Sequence, residues 1–167
     1  MNSEQMIWGL TMIRIANWED RNRIHALICD LEQEELPYER FCEIYRHQLE
    51  SDLYCCLVFE QNQQVIALLN LRMEDQMHHT ARIAEVLEFA TDPACRSQGI
   101  GRQLFAFACD LAREKGCLQI ELSSSRSRTG AHRFYLREGM DQSHYKFSLP
   151  LNDSLTEEIR KSEQRLL

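Results

Sequence analysis

Apolar and polar positions along this chain fall into two periods, and the periods predict its elements. Residues 9–15 alternate weakly and read as a first strand. Trp18-Glu19-Asp20 looks like a helix start, and Ile24, Leu27, Ile28 and Leu31 keep the i, i+3, i+4, i+7 spacing of an amphipathic helix. Pro37 suits the first turn of a second helix reaching about residue 50. Residues 54–59 are a dense apolar run and 65–73 another, with the polar Gln61-Asn62-Gln63-Gln64 between them, so the pair predicts a hairpin. Residues 74–80 read as a loop. Residues 81–91 alternate as a third long strand, with Ile83, Glu85, Leu87 and Phe89 on one face and Ala84, Val86, Glu88 and Ala90 on the other.

Asp92-Pro93 ends that strand, because proline has no N–H for a ladder. Leu104, Phe107, Ala108 and Leu111 stripe a strong helix over residues 100–115, with Gly116 at its end. Residues 117–123 predict a strand, 131–138 a short helix, and 142–149 a last alternating strand. The order is that of a mixed α/β fold, not of a regularly alternating parallel one. No linker or repeat interrupts it, so residues 1–150 read as one domain and 151–167 as a tail. Leu155, Ile159, Leu166 and Leu167 are too few for a coiled coil. The tail is a short helix docking on the domain or on a second copy in a homodimer, or a frayed end.

The chain has 167 residues, enough for one domain with a sizeable core. Its net charge of −7 argues against a general nucleic-acid binder. The first 94 residues hold 7 basic and 17 acidic side chains, the remainder 12 basic and 9 acidic. Such halves suit a cationic and a polyanionic ligand, or are solvated faces that happen to differ. No window holds the ~18 apolar residues of a membrane span, and the start lacks the form of a secretory signal. Seven cysteines without a C-x-x-C exclude zinc-finger spacing and point away from a disulfide framework. They place the chain in a reducing compartment, the cytoplasm.

The most informative segment is Arg96-Ser97-Gln98-Gly99-Ile100-Gly101-Arg102, which joins a strand to an amphipathic helix. Glycines two apart let the backbone bend and bring amides close to a ligand. The first N–H groups of a helix have no internal partner and sit at the positive end of its dipole, where a phosphate fits. The third glycine of a dinucleotide fingerprint would fall at Leu104, and no Gly-Lys-Ser/Thr follows. The segment is a pyrophosphate site flanked by Arg96 and Arg102, or a tight strand-to-helix turn with two incidental glycines.

This segment resembles the R/Q-x-x-G-x-G/A loop of the GNAT superfamily, the CoA-dependent N-acetyltransferases. Ala131-His132-Arg133-Phe134-Tyr135-Leu136-Arg137-Glu138-Gly139 is similar to that family's A-x-x-F-Y-x-x-x-G helix, although Arg128 stands where many members carry Asn. ALICDLEQEE, MHH followed by EVLEF, and AHRFYLREGMDQSHYKF resemble the bacterial aminoalkylphosphonate N-acetyltransferases. The resemblance implies a mixed, mostly antiparallel GNAT sheet with helices on both faces and a splayed central strand pair. It implies acetyl-CoA as donor, a small primary amine as acceptor, and a divalent metal in the aminoalkylphosphonate group. Arg96, Ser97, Gln98, Gly99, Ile100, Gly101 and Arg102 would hold the pyrophosphate. Phe89, Ala90 and Thr91 would part from the strand at 117–123 and pair with the pantetheine amides.

Acetyl transfer needs a base for the ammonium and an acid for the leaving thiolate. The resemblance makes Tyr135 the acid; otherwise it packs its helix on the sheet. Glu85 and Glu88 lie in mid-strand, where a charge is costly unless paired or functional. Three positions apart, they are expected on opposite faces. Glu88 shares parity with Ala90 and is the candidate base, or else a salt-bridge partner of Arg82 or Arg72. His78 and His79, with Glu85, offer imidazole and carboxylate ligands for Zn, Ni or Mn that would bridge a phosphonate, or they are exposed loop residues. Arg126, Arg128, His132 and Arg133 are the alternative anion partners, or belong to the solvated surface.

Overall fold

The computed structural model describes residues 5–8, as backbone alone, and residues 11–151. These form two compact units, one ending at Ser125 and one beginning at Arg126. The first holds a six-stranded sheet whose strands lie in chain order. They are β1 (Gln5–Trp8), β2 (Thr11–Ile15), β3 (Tyr54–Gln61), β4 (Gln64–Gln76), β5 (Ala81–Thr91) and β6 (Cys117–Leu122). Every neighbouring pair is antiparallel except β5 with β6, which is parallel. Helices α1 (Arg21–Glu32), α2 (Tyr38–Leu49) and α3 (Ile100–Glu114) complete this unit. Among the described residues no helix is long and apolar enough to cross a membrane, and all seven cysteines are free.

The apolar runs explain the layering. In β4 every residue from Val65 to Leu71 is buried, as expected of a central strand covered on both faces. On one face Val58, Leu68 and Ala90 form a cluster with Ile24 and Leu27 of α1 and Tyr45 of α2. On the other, Phe89 stacks on Phe105 of α3, ring centroids 6.3 Å apart. The α3 stripe buries Leu104, Phe105, Ala108, Leu111 and Ala112. Asn62 (φ 50°) and Gln63 (φ 63°) both take left-handed backbone, as a two-residue turn between twisted strands requires, so the polar Gln-Asn-Gln-Gln run does close the β3–β4 hairpin.

Several boundaries move. The strand expected from residue 9 begins at Thr11, with residues 9 and 10 outside the described set, and β1 precedes it. Trp18-Glu19-Asp20 is a 3-10 turn capped by Asn17, and α1 starts after it. β4 runs on to Gln76 through residues expected as loop.

The second unit holds α4 (Thr129–Arg137). The strand expected over 142–149 is absent, and Tyr145, Phe147 and Leu149 are exposed. The alternation is real, but backbone pairing makes a strand, and the described part of this unit contains no other strand to pair with. The tail over 152–167 lies outside the described residues.

One ion cluster ties the sheet to α1. Arg14 on β2 donates to Asp20 at 2.7 and 2.8 Å and to Glu60 on β3 at 2.8 and 2.9 Å. Asp20 is 8% exposed and also accepts the Asn17 N–H at 2.8 Å. Burial works to raise its carboxyl, but the Arg14 guanidinium and the Asn17 amide together hold it below the usual range. A carboxylate lowered by folding contributes stability above its unfolded pKa, and that contribution is lost as pH falls through the folded value. Asp20→Asn leaves Arg14 half-neutralised and is expected to cost about 3–5 kcal/mol at pH 7. The gap from wild type should begin to narrow below about pH 4, the unfolded value, and go on closing as pH falls through the lower folded one. Chemical denaturation followed by circular dichroism at pH 7 and pH 3 measures both values.

Candidate active site

β5 carries the centre of the site, and one irregularity sets its geometry. Asn70 pairs with Glu88 and Leu71 with Val86, so Leu87 is an extra residue, a β-bulge. Across the bulge the facing of β5 is inverted. Glu85, opposite Arg72, therefore lies on the same face as Glu88, opposite Asn70, because Asn70 and Arg72 share parity on β4. The expectation that the two glutamates face opposite sides is corrected: it counts residues as if the strand had no insertion.

The two carboxylates nonetheless differ in surroundings. Glu85 accepts from Arg72 at 2.6 Å, and the same guanidinium reaches Glu74 at 3.2 Å. Glu88 is paired with neither Arg72 nor Arg82, whose Nη2 donates to the Met73 carbonyl. Glu88 Oε2 accepts from Asn70 Nδ2 at 2.8 Å, and Asn70 Nδ2 also donates to Gln48 Oε1 on α2 at 2.9 Å. Burial pushes the Glu88 carboxyl above the ordinary glutamate range, and Glu32 adds to this, while the Asn70 hydrogen bond pulls back. A raised carboxyl beside a polar amide in an apolar sheet has the chemistry of a proton acceptor.

The pairing of β5 with β6 runs from Arg82 opposite Cys117 to Val86 opposite Leu122. Beyond the bulge β5 continues through Phe89, Ala90 and Thr91, still paired to Leu69, Leu68 and Ala67 of β4 but with no β6 partner. This is the parting of strands that the resemblance implies. The Phe89 ring is committed to α3, so any ligand contact there is through its backbone.

At the end of β5 the Asp92 N–H donates to the Ile66 carbonyl, 2.8 Å, and Asp92 Oδ1 accepts the Ala94 N–H, 2.8 Å. Asp92 also pairs with Arg23 of α1, whose Nε donates to the Val65 carbonyl at 2.8 Å. The Ala94 amide and Arg23 hold the Asp92 carboxyl below its usual range. The turn that follows uses Ser97 (φ 63°) and Gly99 (φ 79°) in left-handed backbone. The first bond from α3 back to this turn is Gln103 N–H to the Gly99 carbonyl, 3.1 Å. The amides of Gln98, Gly99, Ile100 and Gly101 come before it and donate to no described residue. A Cβ built on Gly99 would meet nothing within 4 Å. The glycine serves the backbone angle, and the space over it is open. Arg96 is exposed beside this turn, its Nε 3.4 Å from the Thr91 carbonyl. Arg102 lies in the first turn of α3.

The expected metal set is not assembled. The His78 and His79 rings lie tilted against each other, centroids 4.2 Å apart, but His79 Nε2 is 3.1 Å from Glu121 on β6, and Glu85 is occupied by Arg72. Among the described residues the three do not converge to coordinating distance. His25, Cys29 and Glu35 do come together. There His25 Nε2 lies 2.9 Å from the Leu36 carbonyl and Cys29 Sγ accepts the Leu36 N–H at 3.4 Å, contacts that close the end of α1. Among the described residues neither set brings Glu88 into a divalent-metal site.

In the second unit, Tyr135 is half-buried with its ring edge-on to Phe134 at 5.4 Å. Burial raises its phenol above the usual value, against the pull of Arg128, so it is protonated at neutral pH. Arg128 stands at the N-cap of α4, and the His132 N–H donates to its carbonyl at 3.1 Å. Arg126 and Arg133 are exposed. Asn70 and Gln48 were not visible as site residues from periodicity. The available signal was one amide inside the apolar run IALLNLRM.

Residues 14–140 match the acetyltransferase (GNAT) family. Over 152 residues the chain is 36% identical to the aminoalkylphosphonate N-acetyltransferase of Salmonella typhimurium (strain LT2), covering 90% of this chain and 98% of that protein. An uncharacterised N-acetyltransferase of Bacillus subtilis is 30% identical over 122 residues, 70% of this chain and 85% of that one. A solved structure described as a transcriptional regulator from Bacillus halodurans C-125 has a TM-score of 0.78 at 23% identity, over 84% of this chain and 99% of that one. That last likeness is one of fold alone. Matched over most of its length by the family and by a named enzyme within it, this protein belongs to the GNAT acetyltransferases.

Proposed function

We propose that the protein transfers the acetyl group of acetyl-CoA to the primary amine of a small aminoalkylphosphonate. The substrate class rests on the 36% identity that spans 98% of the Salmonella enzyme. The unbonded amides of residues 98–101 and the unpaired edge of β5 beyond Val86 support the donor side. The diphosphate takes the amides, with Arg96 and Arg102 adding charge, and the pantetheine extends along Phe89, Ala90 and Thr91.

The chemistry is direct transfer. Glu88 removes a proton from the ammonium, whose pKa near 10 leaves little free amine at pH 7. The amine nitrogen attacks the thioester carbonyl, polarised by a backbone N–H near Ala90, and forms a tetrahedral oxyanion. Collapse breaks the carbon–sulfur bond, Tyr135 protonates the departing thiolate, and the second proton that the nitrogen loses on becoming an amide returns through solvent to the Tyr135 phenolate. Its raised phenol suits an acid rather than a base. The phosphonate is met by Arg128 and His132, with Arg126 and Arg133 nearby in sequence. This cationic stretch matches the anionic substrate in an otherwise acidic chain. His78 and His79 are left with no assigned contact to substrate or metal.

Three outcomes test this. Thiol release from acetyl-CoA should be at least ~100-fold more efficient with aminomethyl- or aminoethylphosphonate than with ethylamine, a difference typical of a lost charged hydrogen-bonding group. Equal turnover of ethylamine, spermidine and amino acids would remove the phosphonate assignment and keep the enzyme. Glu88→Gln should lower kcat/KM by about 10²–10⁴ above the acid limb of the wild type and by less below it, because only the ionised carboxylate serves as base. Wild-type rates across pH would discard Glu88. Gly99→Ala puts a Cβ on a left-handed residue, at about 1–2 kcal/mol, and turns the amides of the loop. Calorimetry should show coenzyme A binding weakened about tenfold or more; unchanged affinity would remove this loop from the donor site.

A further inference from the structure

Asn70 is 6% exposed in the most deeply buried strand of the sheet. Both hydrogens of its amide serve one side, on Gln48 Oε1 and Glu88 Oε2. Its carbonyl Oδ1, on the other side, is buried with no hydrogen-bond partner. A buried amide ordinarily turns to satisfy both ends, and an orphaned acceptor costs stability. Turning this one over would set Oδ1 against two other acceptors, Gln48 Oε1 and the Glu88 carboxylate. Its orientation is therefore dictated by Glu88 and Gln48 and not by its own needs. The register enforces the contact: Asn70 and Glu88 are cross-strand partners beside the Leu87 bulge.

The other groups around Glu88 do not take over this task. Glu32 at the end of α1 carries like charge and pushes the Glu88 carboxyl up. Cys56, the β3 partner of Asn70, is a thiol held protonated by burial. Glu85, along the same face, is neutralised by Arg72. Among the described residues Asn70 supplies the one hydrogen bond that favours the ionised carboxylate.

We propose that Asn70 is the positioning residue of the base, and that the Gln48–Asn70–Glu88 chain fixes the carboxylate in the orientation and ionisation that accept the amine's proton. This rests on Glu88 being that base. Gln48, reaching in from α2, locks the Asn70 amide and couples this helix to the reacting carboxylate.

The test is the pH profile of kcat/KM for Asn70→Leu and Gln48→Leu, with and without Glu88→Gln. Losing the Asn70 bond should move the acid limb up by about one pH unit, roughly a tenfold loss at low pH that vanishes at high pH. Gln48→Leu should move it the same way by less, and stands in should Asn70→Leu fail to fold. In the Glu88→Gln background neither should move the profile. Titration of the Glu88 carboxyl carbon by NMR in the wild type and in each variant should show the same upward shift without turnover. An unmoved limb with rates reduced equally at every pH, or an unshifted carboxyl, overturns the assignment of Asn70. An unaltered profile in Glu88→Gln alone overturns the base itself, and so separates the two failures.

Discussion

The site depends on one extra residue in β5. Without the bulge at Leu87, alternation would put Glu88 on the α3 side of the sheet, away from Asn70 and α2. With it, Glu88 faces the helices α1 and α2, and the pairing with β6 ends at Val86, just before the inserted residue. A bulge increases local twist, so β5 and β6 diverge just where β5 gives up its second partner. The insertion therefore aims the carboxylate and opens the backbone edge together. The cost is limited because β4 continues to satisfy the other side of β5 through Thr91.

Residues 92–101 receive that open edge and turn it into a row of amides. Asp92 spends one carboxylate oxygen on the Ala94 amide and the other on Arg23. Arg23 belongs to α1, the helix whose end carries Glu32 towards Glu88. The same helix thus braces the turn before α3 and contributes to the field at Glu88. Rigid attachment matters here, since backbone donors aid a reaction only if they are held in place before the ligand arrives.

Much of this was legible from residue order. The 81–91 strand, the hairpin turn at Asn62-Gln63 and the helix stripe of Leu104, Ala108 and Leu111 follow from local periods, which report burial directly. So does the glycine turn, because a left-handed angle at Gly99 needs a specific residue. The bulge was not legible, since an inserted Leu in an apolar strand leaves composition unchanged, and with it went the shared facing of Glu85 and Glu88. Nor was the His79–Glu121 pair, which joins residues 42 apart in sequence through a parallel strand. The 142–149 segment shows the reverse error: Tyr145, Phe147 and Leu149 keep the strand period where no backbone partner is described.

What separates the two mid-strand glutamates is solvation and pairing. Glu85 meets a full positive charge, the Arg72 guanidinium at 2.6 Å, and its carboxylate is engaged in that pair. Glu88 meets only amide dipoles, which favour the anion less than a guanidinium does and leave burial to raise its affinity for protons. A base must bind a proton well enough to take it and weakly enough to start without it. A carboxylate bonded to an uncharged amide in a half-buried position meets both demands, whereas a salt bridge meets only the second. The same reasoning explains why an apolar residue at position 70 would satisfy packing and still change the site: it would remove the hydrogen bond that favours the Glu88 anion.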